Sequence, residues 1–97
     1  MPKINRTRKH TLGLDDAKVL VKKIVEDVKQ SYPMLVDDIR WNNDNTSAQV
    51  KGKMFEGKFQ VTATDISIDI DLSFLAKPFM GKVESRIDTK LEEYFPA

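Results

Sequence analysis

A period-two alternation of apolar and polar residues runs through the middle of the chain and restricts its fold more than any other feature. Four segments carry it, and each places its apolar side chains on one face. Sheets with a single apolar face are typical of antiparallel structures covered by helices on one side. The predicted inward positions are Ile39 and Trp41; Ala48, Val50, Gly52 and Met54; Phe59, Val61 and Ala63; and Ile66, Ile68, Ile70 and Leu72.

The register of this meander predicts three turns. Each turn must return the chain with its apolar residues on the same side, because a slip of one residue would turn the whole strand over. The predicted turns lie at Asn43–Thr46, at Glu56-Gly57 and at Thr64-Asp65. The residues expected to face one another across them are Trp41 and Ala48, Met54 and Phe59, and Val61 and Ile68.

A short strand and a helix are predicted before the meander. Residues 3–10 alternate as a strand that is polar on both faces, which is typical of a sheet edge. A helix follows from Thr11 or Gly13 to about Ser31, and acids in its first turn favour the start. Its predicted apolar stripe is Leu14, Ala17, Val21, Ile24, Val25, Val28 and Tyr32.

A second helix is predicted after the meander, from near Ala76 to about Phe95, with Pro78 in its first turn. Gly81 interrupts an otherwise good helix, and we expect it to permit close approach to the sheet. The predicted buried stripe of this helix is Phe79, Met80, Val83, Ile87, Leu91 and Tyr94.

The element order is therefore β-α-β-β-β-β-α, and residues 1–97 are expected to form a single domain of the α+β class. Both helices must cover the single apolar face of a five-stranded, mainly antiparallel sheet, which gives two layers. The first strand can lie antiparallel beside the last, in the order 1-5-4-3-2. Arg6 and Arg8 would then neighbour Asp69 and Asp71 on the polar face. The alternative order is 5-4-3-2-1, with a parallel first strand.

Composition narrows the class of protein. Sixteen basic and 15 acidic residues give a formal net charge of +1, so no global field attracts nucleic acid, and a nucleic-acid partner is not expected. The chain has no cysteine, which removes disulfides and thiolate chemistry and fits a reducing cytoplasm. It has no apolar signal segment and no run long enough for a membrane span.

Catalytic and metal-binding patterns find little support. His10 is the single histidine, but a lone histidine at a strand end is more often structural. No recognisable serine, histidine and acid motif is present. Asp65, Asp69 and Asp71 form an acidic row, for which a solvated strand face is favoured over a metal site. We therefore expect a protein that is not an enzyme and uses no cofactor.

Binding interpretations remain for a few residues. The basic strand residues Lys3, Arg6, Arg8 and Lys9 could contact an anion or nucleic acid weakly. The cluster of Gly52, Ala48 and Ala63 either admits a helix closely or leaves a cavity, which would suit a small apolar-ligand carrier. Trp41 packs in the core or, if its strand is an edge, anchors a homodimer through residues 39–42. The ligand-binding candidates are Arg6, Arg8, His10 and Trp41.

Several motifs resemble one bacterial family. The N-terminal pattern is Ile4-x-Arg6-x-Arg8-x-His10-x-Leu12-Gly13-x-x-x-Ala17, and Arg40-Trp41-Asn42-Asn43-Asp44, Phe74-Leu75 and Gly81-Lys82-Val83-Glu84 follow it. Together they resemble the polyhydroxyalkanoic acid system proteins, also called granule-region proteins. The resemblance implies a cytoplasmic, non-enzymatic accessory protein whose partners are polyester granules or granule proteins. The element order is also similar to a shortened helix-grip fold, a likeness of fold alone.

Overall fold

Five antiparallel strands and two α-helices form a two-layer α+β structure. The computed structural model describes residues 3–96, of which residues 74–76 are described by their backbone. A 3₁₀ helix at Phe74–Phe79 precedes the second α-helix. The strands and α-helices are β1 (Lys3–Lys9), α1 (Leu14–Ser31), β2 (Asp38–Trp41), β3 (Ser47–Lys51), β4 (Phe55–Val61), β5 (Asp65–Leu72) and α2 (Met80–Tyr94).

The sheet has the order β1-β5-β4-β3-β2, and every neighbouring pair is antiparallel. Of the two orders that the sequence left open, 1-5-4-3-2 is the one observed, and the order with a parallel first strand is wrong. Ile4 is the buried side chain of β1 and lies opposite Ile70. The predicted pairing of Trp41 with Ala48 across the loop after β2 is also confirmed.

Both helices cover one face of the sheet, as the apolar pattern predicts. In α1 the buried positions are five residues of the predicted stripe, and in α2 they are Val83, Ile87 and Leu91. Each fully buried aliphatic or aromatic side chain contributes about 1.5–3 kcal/mol of transfer free energy. The largest fully buried side chains are Phe59, Phe95, Ile4, Ile24, Leu35, Ile66, Ile68, Ile70, Leu72, Ile87, Leu91 and Val21.

The turn between β3 and β4 does not lie at Glu56-Gly57, and that prediction is wrong. The chain turns three residues earlier, at Lys53-Met54, where the Gly52 N–H donates a hydrogen bond to the Phe55 carbonyl over 2.8 Å. Val50 therefore lies opposite Gly57, and Phe55 rather than Met54 enters the core. Burial of a large aromatic ring favours this register over the predicted one.

Gly57 lies inside β4 and is buried there. A Cβ atom at this position would lie 3.2 Å from a ring carbon of Phe55 and 3.3 Å from a ring carbon of Phe59. Both phenylalanines lie two residues away on the same face of the strand. The missing side chain of Gly57 therefore makes room for the two rings, which explains a glycine that looks like a turn residue in the sequence.

The turn between β4 and β5 is one residue earlier than the predicted Thr64-Asp65. The Thr62 N–H donates to the Asp65 carbonyl over 2.8 Å, and the Thr62 hydroxyl accepts a hydrogen bond from the Asp65 N–H. Val61 consequently pairs with Ile66 instead of Ile68. Ala63 lies exposed at the turn.

The predicted cluster of small residues on the apolar face does not form. Ala48 is buried in β3, whereas Ala63 is exposed and Gly52 lies in a turn against the backbone of Leu35. The predicted cluster, which favoured a cavity for an apolar ligand, is therefore wrong. At Gly52 the close approach is to a loop, because the Leu35 carbonyl oxygen lies only 1.6 Å from where a Cβ would be.

The regular part of α2 begins later than predicted, at Met80 instead of near Ala76, because Pro78 lies within the preceding 3₁₀ helix. Gly81 is exposed, and a Cβ atom there would meet no atom of residues 3–96 within 4 Å. The expectation that Gly81 permits close approach to the sheet is therefore wrong.

An ion pair connects the two helices across their exposed sides. Arg86 of α2 donates two hydrogen bonds of 2.8 Å to the carboxylate of Asp27 in α1, through Nε and Nη2. The Asp27 side chain retains only 18% exposure, so the pair is partly shielded from water. These hydrogen bonds lower the pKa of Asp27 below its ordinary value.

Glycine-to-alanine substitutions at Gly52, Gly57 and Gly81 should change the free energy of unfolding by different amounts, because the three positions differ in the space around them. Gly52→Ala should lower the free energy of unfolding by about 1–3 kcal/mol, since the new methyl group overlaps a backbone carbonyl that must move. Gly57→Ala should cost less, because flexible ring edges can shift. Gly81→Ala should be neutral or stabilising by up to about 1 kcal/mol. Urea unfolding measures all three, and a Gly52→Ala protein as stable as the wild type would contradict the described turn.

Acidification should remove the contribution of the Asp27–Arg86 pair. A carboxyl whose pKa is lower in the folded state stabilises the protein above its unfolded pKa, near 3.8, and the contribution is lost as pH falls through the folded pKa. Asp27→Asn should therefore cost about 0.5–1 kcal/mol at neutral pH. The difference should narrow in unfolding curves recorded below the unfolded pKa.

The control for this measurement is Asp71→Asn. Its carboxylate lies 3.8 Å from Lys3 with both side chains largely exposed, and such pairs contribute little. A wild-type to Asp27→Asn difference that stays constant between neutral and acidic pH would show that the helix pair does not stabilise the fold.

Candidate functional site

The arginines of β1 point toward the helices, not toward the acidic row of β5. Arg6 lies opposite Ile68 and Arg8 opposite Ile66, on the same face as the buried Ile4. The predicted contacts of these arginines with Asp69 and Asp71 are therefore wrong. Alternation already placed Arg6, Arg8 and Ile4 on one face, and burial of Ile4 turns that face to the helix layer.

Arg6 forms ion pairs with two acidic residues of α2. Its Nε donates to Asp88 over 2.8 Å and its Nη2 donates to Glu84 over 2.9 Å. The hydrogen bonds to Asp88 and then Glu84 raise the pKa of Arg6 above its ordinary value. Because both acids lie one helical turn apart, a single guanidinium can contact both.

Arg8 continues the same row of ion pairs. Its Nη1 donates to Glu92 of α2 over 3.1 Å. Glu84, Asp88 and Glu92 thus present one acidic stripe with a spacing of four residues, and the two arginines lie along it. The two arginines of β1 are therefore directed into the fold, where they attach the edge strand to α2.

The outer face of β1 contacts the acidic row instead. The Asn5 side-chain amide donates to the Asp69 carboxylate, and Lys3 lies 3.8 Å from Asp71. Asp65 accepts a hydrogen bond from the Thr64 hydroxyl. Within residues 3–96 no group of three or more acidic or histidine side chains is arranged to hold a metal ion.

His10 joins the end of β1 to the turn between β4 and β5. The Leu12 N–H donates to Nδ1 over 3.2 Å, so the proton of the neutral ring lies on Nε2, which donates to the Thr62 carbonyl over 2.9 Å. The ring also lies 5.5 Å from the ring of Phe95. Both nitrogens are engaged, so a role as proton acceptor would require His10 to break one of these bonds.

Trp41 lies apart from the other candidates, at the opposite edge of the sheet. β2 is the edge strand there, and the Trp41 side chain is half-buried. It borders a shallow cleft of about 280 Å³ between β2 and the start of α1. We name this surface the Trp41 patch, and its lining residues are Asp15, Lys18, Val19, Lys22, Trp41 and Asn45.

The Trp41 patch combines apolar surface with cationic side chains. Val19 is 55% exposed, whereas the other apolar residues of α1 are buried or half-buried. Lys18 and Lys22 lie beside it, one turn apart. Within the described residues, no group accepts a hydrogen bond from the Trp41 indole N–H. The patch can therefore cover an apolar surface and also donate hydrogen bonds at its rim.

Sequence reasoning predicted Trp41 but missed Val19, Lys18 and Lys22. A signal was present, because Val19 is a β-branched apolar residue on the polar side of the α1 stripe. It could not be joined to Trp41 from the pattern alone, since α1 and β2 become neighbours only when the sheet order is known. Among the four predicted ligand-binding residues, Arg8 and His10 line one cleft. Trp41 lies on β2, at the opposite edge of the sheet.

The contact between Arg6 and Asp88 should show measurable coupling. A double-mutant cycle with Arg6→Ala and Asp88→Ala should give a coupling free energy of about 0.5–1 kcal/mol, because the groups are only partly exposed and joined by a charge-assisted hydrogen bond. The matched cycle with Lys3→Ala and Asp71→Ala should give a value near zero. Equal coupling in the two cycles, measured by urea unfolding, would contradict a structural role for Arg6.

Neither α-helix in residues 3–96 contains an apolar stretch able to cross a lipid bilayer.

Comparison with known proteins identifies a family for this chain. No curated protein and no solved structure matches the chain, so the likeness to a helix-grip fold stays a prediction. A family model described as polyhydroxyalkanoic acid system protein matches residues 4–95, nearly the whole chain. The chain therefore belongs to the polyhydroxyalkanoic acid system protein family.

Proposed function

We propose that this protein is a non-enzymatic accessory protein of the bacterial polyester storage system. It attaches to polyhydroxyalkanoate granules in the cytoplasm through the Trp41 patch. The family match supports the system, and the exposure of Val19 beside Trp41 is the observation that carries the attachment surface. The row of arginine contacts on β1 supports a structural role for the residues that otherwise resemble a charged binding site.

The chemistry of the polymer matches that of the patch. A polyhydroxyalkanoate surface presents apolar carbon chains and ester carbonyls, which accept hydrogen bonds and carry no charge. Val19 and the indole ring of Trp41 supply apolar area. The indole N–H and the ammonium groups of Lys18 and Lys22 supply donors at the rim, and their aliphatic stems extend the apolar area. Attachment through one small patch implies reversible binding.

The alternatives receive less support from the geometry. A weak anion or nucleic-acid binder would need the β1 cations to be available, whereas Arg6 and Arg8 are engaged by α2. A carrier of a small apolar ligand would need space between the layers, whereas the small residues that suggested it do not cluster. Neither alternative draws on the exposed apolar residues of α1.

Co-sedimentation with particles of poly(3-hydroxybutyrate) tests the proposal. The wild-type protein should pellet with the particles, and Val19→Asp should reduce the bound fraction several-fold by placing a charge in the apolar contact. Binding should persist at about 0.5 M salt, because the contact is mainly apolar and the polymer is uncharged. Val19 is exposed, so this substitution should leave the fold intact.

Met34→Asp is the matched control. Met34 is 64% exposed and lies outside the Trp41 patch, so its replacement should not change particle binding. Failure of the wild-type protein to pellet, or equal losses for Val19→Asp and Met34→Asp, would overturn the proposed surface. In a polyester-producing cell, absence from isolated granules together with unchanged polyester on deletion would overturn the granule association.

A further inference from the structure

The outer side of β2 is an open strand edge. β2 ends the sheet, so in residues 3–96 no strand lies beyond it. The Asn42 N–H donates to the Ser47 carbonyl over 3.0 Å, which makes this pair a hydrogen-bonded one. Because such pairs alternate along an antiparallel ladder, Arg40 also turns its backbone groups toward β3. Ile39 and Trp41 turn theirs outward, where a further strand could bind them.

The two edges of the sheet differ in charge. β1 carries four basic residues and no acid among its seven positions. Three of these side chains, Lys3, Arg6 and Arg8, already contact acids of β5 and α2, so they are not available to form pairs of opposite charge with a second β1. β2 carries one acid and one base, Asp38 and Arg40, and therefore has no net charge. It also presents the half-buried Ile39 and Trp41 on its inward face. The β2 edge is thus the one suited to a second copy of this chain.

We propose that two copies of the protein associate through β2, antiparallel about a two-fold axis, with Ile39 opposite Ile39 of the second copy. In this register Asp38 of each copy lies opposite Arg40 of the other on the outer face. The symmetry therefore produces two pairs of opposite charge from one acid and one base. The Arg40–Asp38 contact of 2.9 Å within each copy becomes part of a four-charge group.

Charge and face together select this register. A shift by two residues would place Arg40 opposite Arg40 of the second copy, and like charges directly opposite are unfavourable. A shift by one residue would place the apolar Ile39 opposite the polar Arg40 and turn the helices of the two copies to opposite sides of the sheet. The proposed register avoids both. It also brings Trp41 diagonally beside the second copy's Ile39, within reach of an aromatic ring.

The resulting dimer has a ten-stranded sheet with all four helices on one face. Both Trp41 patches then lie on that same face, near the two-fold axis. Attachment of one patch to a surface would raise the effective concentration of the other. The inference of a dimer does not rest on polyester binding, and its test uses no polymer.

Sedimentation equilibrium over a range of protein concentrations tests the proposal. A contact along one four-residue strand is small, so the dimer should dissociate at about 10–100 μM. Asp38→Arg and Arg40→Asp should each weaken association about tenfold, because each creates two like-charge pairs across the axis. Both side chains are more than half exposed, so the fold should be retained, which circular dichroism checks.

Charge reversal provides the decisive control. The double variant Asp38→Arg/Arg40→Asp should recover the wild-type dissociation constant, and an equimolar mixture of the two single variants should form a heterodimer. A wild-type protein that stays monomeric at about 1 mM, well above the expected range, would overturn the proposal. A dimer unaffected by the single substitutions, or not recovered by the double one, would place the interface elsewhere and overturn it as well.

Discussion

The pairing of β1 with β5 is the contact on which the rest of the structure depends. It joins residues about sixty positions apart in the chain, so no local turn assists it. Tertiary contacts must therefore offset the entropy lost when this long loop is closed. Ile4 contributes the apolar part and the arginine contacts to α2 contribute the polar part. Through them β1, β5 and α2 form one corner of the fold. α1 packs on β4 and pairs with α2 through Asp27 and Arg86.

The same arginines also determine the character of the β1 edge. A row of inward-pointing charged residues on an edge strand opposes the addition of another strand. Here the arginines have two effects, because they attach β1 to α2 within one chain and leave β1 with no acid that could pair with the basic residues of a second β1. β2 has no equivalent protection. Its two charges balance each other and its inward residues are only half-buried, so the sheet has one closed edge and one open edge.

Element types and most buried helix positions could be predicted from the sequence because they depend on residue periodicity, whereas chain direction reduced the sheet order only to two alternatives. The turns around β4 could not be predicted. Glu56-Gly57 has the composition of a hairpin turn, whereas Lys53-Met54 does not, and the choice depends on the fit of Phe55 beside Gly57 and of Gly52 against Leu35. These are contacts between distant segments. Trp41 could be predicted as an edge residue, but its neighbour Val19 required the packing of α1 on the sheet.

The position of Trp41 has a spectroscopic consequence. It is the single tryptophan of the chain, and its half-buried indole borders both the candidate attachment surface and the open strand edge. Tyr94, by contrast, lies between the ammonium groups of Lys23 and Lys90 on the helix layer. Emission excited selectively from tryptophan therefore comes from one place in the fold. The wavelength of that emission reports the polarity around β2 without any label, while the distant β1–α2 contacts remain spectroscopically silent.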